Sequence, residues 1–178
     1  MLQLDEARAI LHEWVSNPAL RHHMECVAAC MGAYADAVDP PSRNRWVLAG
    51  LLHDLDWERH PTQDEHPRVG VAFLRTRGVD DEILHAIMAH APYTGTVRDT
   101  AMARHLFAVD ELAGFIVACG KVRPDGLASL EPASVRKKLK NLAFAAAVSR
   151  DDIATGIAEL GVDEEAHIAR CIAAIRAM

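Results

Sequence analysis

Residues Trp46–Trp57 read WVLAGLLHDLDW. Seven apolar or small residues lead without a break into His53 and Asp54, and the run is too long and too rich in Leu and Ala for a typical strand. It therefore reads as a buried helix that ends on two ionisable side chains. Ser42 is a plausible N-cap for it. A His-Asp pair at the dry end of such a helix needs a partner, because burying an unpaired polar or charged group costs more than a marginally stable chain can spare. A divalent metal is the partner that suits imidazole and carboxylate alike.

Outward from this helix, Pro and Gly divide the chain into a series of helices. The first spans about Leu4 to Ser16, and the second runs from Pro18 to Val38. The loop HPTQDEHP (60–67) leads into a fourth helix that begins near Pro67 and ends at Gly78. Asp80 caps a fifth, DEILHAIMAH. After the loop APYTGTVRD (91–99), a long sixth helix covers Thr100 to Cys119. GKVRPDG (120–126) precedes three more, at Ser134–Val148, Arg150–Leu160 and Asp163 to the end. Ser149 with Asp152 forms a capping-box-like start for the eighth. No stretch shows period-two alternation. The expectation is an all-α fold, a compact bundle of about eight or nine helices forming a single domain over residues 1–178.

Composition agrees with this reading. The chain has 178 residues, enough for one domain with a real core. It is 51% hydrophobic but only 5% aromatic, which favours helices over a sandwich. Net charge is -6, which argues against a broad nucleic-acid surface. The N-terminus lacks the basic-then-apolar pattern of a signal peptide, and no apolar run reaches the length of a membrane span. A soluble cytoplasmic protein is expected. The four cysteines, Cys26, Cys30, Cys119 and Cys171, contain no CxxC and read as small buried hydrophobes in a reducing compartment. A thiolate metal site is the minor alternative.

Helix phase sorts the remaining polar candidates. In the second helix Leu20, Met24, Val27, Met31, Tyr34 and Val38 form an apolar stripe. His23 lies on its flank, while His22 faces away. In the fifth helix His90 falls beside Ile83 and Ile87, and His85 points outward. In the sixth, Asp110 falls with Leu106, Ala113 and Val117, whereas Glu111 falls on the far side. One inward histidine is usually a satisfied core residue. His23, His53-Asp54, His90 and Asp110 together would require several separate buried accidents. The aromatics Trp46 and Trp57 read as core, and Tyr93 is a candidate for the pocket wall. The basic run Arg136-Lys137-Lys138-Leu139-Lys140 is by default a solvated helix face. The sharper reading makes Lys137 a clamp for a phosphate, with Lys121, Arg123 and Arg68 as weaker candidates. His12, His60 and His105 read as surface or supporting residues.

The order His, His-Asp, Asp resembles the HD superfamily of metal-dependent phosphohydrolases. The resemblance extends through LRHHMECVAACMGAYA (20–35), AGLLHDLDWERHP (49–61), GVDDEILHAIMAHA (78–91), LFAVDELAGFIVA (106–118) and SVRKKLKNLAFAAAVSR (134–150), most of the chain. It implies metal ligation by His23, His53, Asp54 and Asp110. It also implies hydrolysis of a small phosphorylated substrate, a nucleotide being one candidate, by a metal-activated water. The GYP signature of the cyclic-dinucleotide phosphodiesterases is absent, so that substrate is not implied, and Leu-Asp follows the His-Asp pair where some relatives have Ile-Gly. Some members carry two further histidines between His-Asp and the last Asp and bind two metals. His66 and His90 lie in that interval. In the alternative, His90 contacts substrate phosphate and His66 is a loop histidine. The catalytic candidates are Asp54, His90 and Lys137. The expected cofactor is one or two divalent ions drawn from Mn, Ni, Zn, Co, Mg or Fe. A di-iron oxygenase and a non-catalytic metal-binding regulatory module are the alternative functions.

Overall fold

The computed structural model describes residues 2–178. Among them are nine α-helices and no strand: α1 (Leu4–Trp14), α2 (Pro18–Val38), α3 (Arg43–Leu52), α4 (Arg68–Thr76), α5 (Asp81–His90), α6 (Ala101–Lys121), α7 (Pro132–Leu139), α8 (Arg150–Leu160) and α9 (Glu164–Arg176). The all-α bundle expected from the sequence is what forms.

The two 21-residue helices, α2 and α6, each about 31 Å long, are the axes of the bundle. α2 packs on α3, α6 and α9, and α6 also takes α5 and α8. Two close approaches fix these pairings. A Cβ on Gly50 would lie 2.8 Å from the backbone of Ala28, so α3 can meet α2 only with a glycine there. A Cβ on Gly156 would lie 2.6 Å from Cα of Ala108, which makes the same demand where α8 meets α6. The core between these helices is aliphatic. Leu48, Leu51 and Leu52 of α3 are essentially fully buried, each contributing on the order of 1.5–3 kcal/mol.

The helix starts follow from local chemistry. Asn17 accepts from the backbone N–H of Ala19 at 2.9 Å, with Pro18 at the first helical position. Thr100 caps α6 through Ala103 N–H, and Asp163 caps α9 through Ala166 N–H.

Several boundaries differ from the sequence reading. α1 stops at Trp14 rather than Ser16. Ser42 makes no side-chain cap, because a short 3-10 turn over Pro40–Ser42 already leads the chain into α3. α7 ends at Leu139 and does not continue to Val148. Arg150 is the reason: its guanidinium collects the carbonyls of Asn141, Phe144, Ala145 and Val148, which a helix would have satisfied internally. Trp57 is not a core residue. It is 43% exposed, in contrast to Trp46 at 2%. The cysteines are all free and buried, as expected. No helix among the described residues is long and apolar enough to cross a membrane.

Candidate metal centre

Three helices and the segment between α3 and α4 deliver six side chains to a single point. His23 comes from α2, His90 is the last residue of α5, and Asp110 sits mid-way along α6. His53 and Asp54 occupy the turn that ends α3. His66 comes from the segment before α4. Nε2 of His23 lies 2.9 Å from Oδ1 of Asp110, and Nε2 of His53 lies 3.3 Å from the same oxygen. Asp54 divides its two oxygens. Oδ2 faces His53 at 3.4 Å and His23 at 3.9 Å, while Oδ1 faces both His66 and His90 at 3.4 Å. His22 is exposed, as its phase requires.

The tautomers follow from the bonds on the other ring nitrogens. His53 Nδ1 donates to the carbonyl of Gly50 at 2.8 Å, and His90 Nδ1 donates to that of Ile87 at 2.5 Å. Each ring thereby satisfies a carbonyl of its own helix three residues back. His66 Nδ1 donates to Oδ1 of Asp56 at 2.7 Å. In neutral rings so held, the Nε2 of His53, His66 and His90 carries a lone pair and no proton. Those lone pairs point at carboxylate oxygens and at one another; the Nε2 atoms of His66 and His90 are 3.3 Å apart. His53 Nε2 is fully buried and has no hydrogen-bond donor. Acceptors so crowded repel one another unless a proton or a metal cation sits among them. The C-terminal ends of α3 and α5 meet here too, and their negative dipole ends favour the same sign.

The fields also call for positive charge at this point, which a proton on the ring supplies where no ion is bound. Burial alone would lower the pKa of His53, but the charges of Asp54 and Asp110 overcome it and raise it well above the ordinary imidazole value. Burial opposes ionisation of Asp54 and Asp110 as well, yet His53 and the other imidazoles hold both carboxyls well below the usual range. The donor set fits divalent metal. His23, His53 and Asp110 present ligand atoms all within 4.8 Å of one another, and so do His53, Asp54 and His90. No cysteine takes part in either cluster among the described residues.

A cavity of about 600 Å³ opens on this centre. His23, Asp54, His66, His90 and Asp110 form its floor, and Trp57, Tyr93, Phe107, Glu111 and Asp152 are among its walls. Tyr93 is set there by the Pro92–Thr94 turn, which Thr94 pins by donating its hydroxyl to the carbonyls of Met88 and Ala91. The Trp57 and His66 rings meet in a T-shaped arrangement at a centroid distance of 4.9 Å.

Some functional positions escaped sequence reasoning. Asp56, which is fully buried, orients His66 and also accepts from Gly70 N–H at 2.6 Å. A carboxylate two residues after His-Asp is visible in the sequence, but nothing there shows that it is buried. Glu111 does not face solvent. It is half-buried beside Asp110, lines the cavity and accepts from the backbone N–H of Ser149 at 3.0 Å. Burial, with the charge of Asp110 adding to it, pushes its carboxyl up to about 7. Conversely, Lys137 is exposed on α7 and is not among the residues lining the cavity. Arg136 and Lys140 belong to a separate groove against α8, and Lys121, Arg123 and Arg68 do not line the cavity.

No curated protein and no solved structure matches the chain. A family model does: the HD domain model matches residues 20–113, a span that contains all six converging side chains. With that match over more than half of its length, the chain belongs to the HD domain family, the superfamily of metal-dependent phosphohydrolases that act on phosphorylated substrates.

Proposed function

We propose that this protein is a phosphohydrolase with two divalent ions, held by His23, His53, Asp54, His66, His90 and Asp110. The observation that carries the reading is the divided carboxylate of Asp54. One oxygen serves the His23–His53–Asp110 side and the other serves His66 and His90, as expected of a bridging ligand. The ions would supply a water of lowered pKa and positive charge for the phosphoryl oxygens. The chain's own part is positional. Hydrogen bonds to Gly50, Ile87 and Asp56 lock the tautomers of His53, His90 and His66, so ligand lone pairs are aimed before anything binds. Trp57 and Tyr93 line the cavity and offer apolar surface to the organic part of the substrate. In the reaction a water oxygen bonds to phosphorus, the ester P–O bond breaks, and the leaving oxygen takes a proton; in-line transfer of this kind depends on placement and charge. We read residues 1–178 as one catalytic domain. Its four free, buried cysteines fit a reducing compartment such as the cytoplasm.

The test is elemental analysis of the purified protein, followed by phosphate release from a panel of phosphomonoesters with added manganese, nickel, cobalt or zinc. Two equivalents of metal and metal-dependent phosphate release are expected, both lost in Asp54→Ala. One equivalent, unchanged on replacing His66 or His90, would reject the second site. Two irons with oxygen consumption and no phosphate release would replace this reading by an oxygenase.

A further inference from the structure

The walls of the cavity carry charge of one sign. Beyond the carboxylates given to the ions, Glu111 and Asp152 remain, and no Lys or Arg lines the cavity among the described residues. Phosphate-ester enzymes whose substrates carry further anionic groups need cations there. This cavity offers the reverse.

Asp152 is kept free for a ligand by the local structure. In the capping box that the sequence suggests, its carboxylate would turn back to accept from Ser149 N–H. Only half of that box forms. Ser149 Oγ accepts from Asp152 N–H at 3.1 Å, but Glu111 reaches across from α6 and takes the Ser149 N–H at 3.0 Å. The Asp152 carboxylate is left with no hydrogen bond and no ion pair among the described residues, half-buried, in the cavity wall. The guanidinium whose field reaches it, that of Arg98, is committed to Glu159 by two bonds of 2.5 and 2.6 Å. Facing an interior that also holds Trp57 and Tyr93, a carboxylate so placed suits a cation, and aromatic walls attract the same sign. A nucleoside di- or triphosphate would bring its extra charges against Glu111 and Asp152.

We infer that the substrate is a phosphate monoester of an amino alcohol, its phosphoryl end at the ions and its ammonium group between Asp152 and Glu111. This rests on the hydrolase reading above. The products would be inorganic phosphate and the free amino alcohol, with water the only co-reactant.

The experiment measures kcat/KM of the metal-loaded protein for phosphoethanolamine and phosphocholine against glycerol phosphate and nucleoside monophosphates. The expected preference for the cationic esters is about 10- to 100-fold, the worth of one hydrogen bond or contact to a charged group. Asp152→Asn should bring that ratio toward one, and so should Glu111→Gln, which keeps an acceptor for Ser149 N–H; circular dichroism checks that each folds. Glycerol phosphate or a nucleotide turned over equally well or better overturns the cationic substrate while upholding the phosphohydrolase, and so does a ratio that survives in both folded variants. No phosphate from any ester in the presence of bound metal overturns both.

Discussion

Asp56 is 0% exposed and makes two short bonds, one to the ring of His66 and one to the backbone of Gly70. A buried carboxylate that accepts from an imidazole fixes both its tautomer and its direction. Gly70 is part of the arrangement, since a Cβ there would come within 3.1 Å of the Asp56 carboxyl. Asp56→Ala should therefore weaken binding of the ion at His66 and His90 by about 10- to 100-fold, and leave binding at His23, His53 and Asp110 much less affected. It should also cost about 1–3 kcal/mol of stability, because Gly70 N–H is left buried without an acceptor. Metal titration by calorimetry reads the first effect and urea unfolding the second. Equal weakening of both ions would mean that Asp56 only supports the fold. At this scale the sequence was legible wherever helix phase alone decides a direction, as for His22 against His23 and for His90 against His85. It was not legible for Asp56, which lies in a turn and has no phase to read. It misled for Glu111, whose helical direction is outward from the α6 core stripe but inward to a cavity roofed by the start of α8.

The elements show what holds the ligand directions to one another. His53 directly follows the last residue of α3 and His23 stands on α2, and their separation is set where Gly50 lies against Ala28. Gly50→Ala would place a methyl 2.8 Å from that backbone, so the helices must part. Overpacking of this kind costs about 1–3 kcal/mol, and the shift should move His53 relative to His23 and lower metal affinity with it. Thermal unfolding paired with metal titration tests this, and a variant of lower stability but native metal affinity would uncouple the helix contact from the site. The helices themselves were legible because their apolar periodicity and their Asn17-Pro18, Thr100 and Asp163 starts are local signals. The end of α7 was not, because what ends it is Arg150, six to nine residues beyond Asn141 and Phe144, drawing their carbonyls out of helical pairing. The HD pattern was legible in order but not in depth. Spacing placed His66 in the right interval, whereas its Nε2 reaches His90 only through the path of the 53–67 turn segment.

Over the whole molecule, two kinds of buried histidine respond to solution conditions in different ways. His167, away from the metal centre, joins α9 to α2 and α6: its Nε2 donates to the carbonyl of Ala108 at 3.1 Å and its Nδ1 accepts from the Tyr34 hydroxyl. Burial lowers its pKa below the ordinary imidazole value, helped by His105 and Arg170. Below about pH 6.5 the unfolded chain then binds a proton that the folded chain refuses. Stability contributed by neutral His167 is complete above that pH and falls as the pH drops toward the folded value, by on the order of 1 kcal/mol per unit. His167→Gln should flatten the urea midpoint between pH 7.5 and 5.5, measured with chelator present in both proteins; an unchanged slope would assign the acid sensitivity elsewhere. The histidines of the centre bear on stability through the ions instead. Six ligands from α2, α5, α6 and the 53–67 segment meet there, so any ion bound to the folded chain and not to the unfolded one ties these parts together. At about 100 times its dissociation constant such an ion adds about 2.7 kcal/mol, and in a chain of this size that is about 5–10 °C in Tm. Chelation at pH 7.5 should lower Tm by that amount, and readdition of manganese or zinc should restore it. Asp54→Ala should start at a different Tm and respond to neither treatment, since the carboxylate that joins the two halves of the site is gone. An identical Tm with and without metal, in protein shown by elemental analysis to have lost its ions, would mean that the six side chains converge for a reason other than metal.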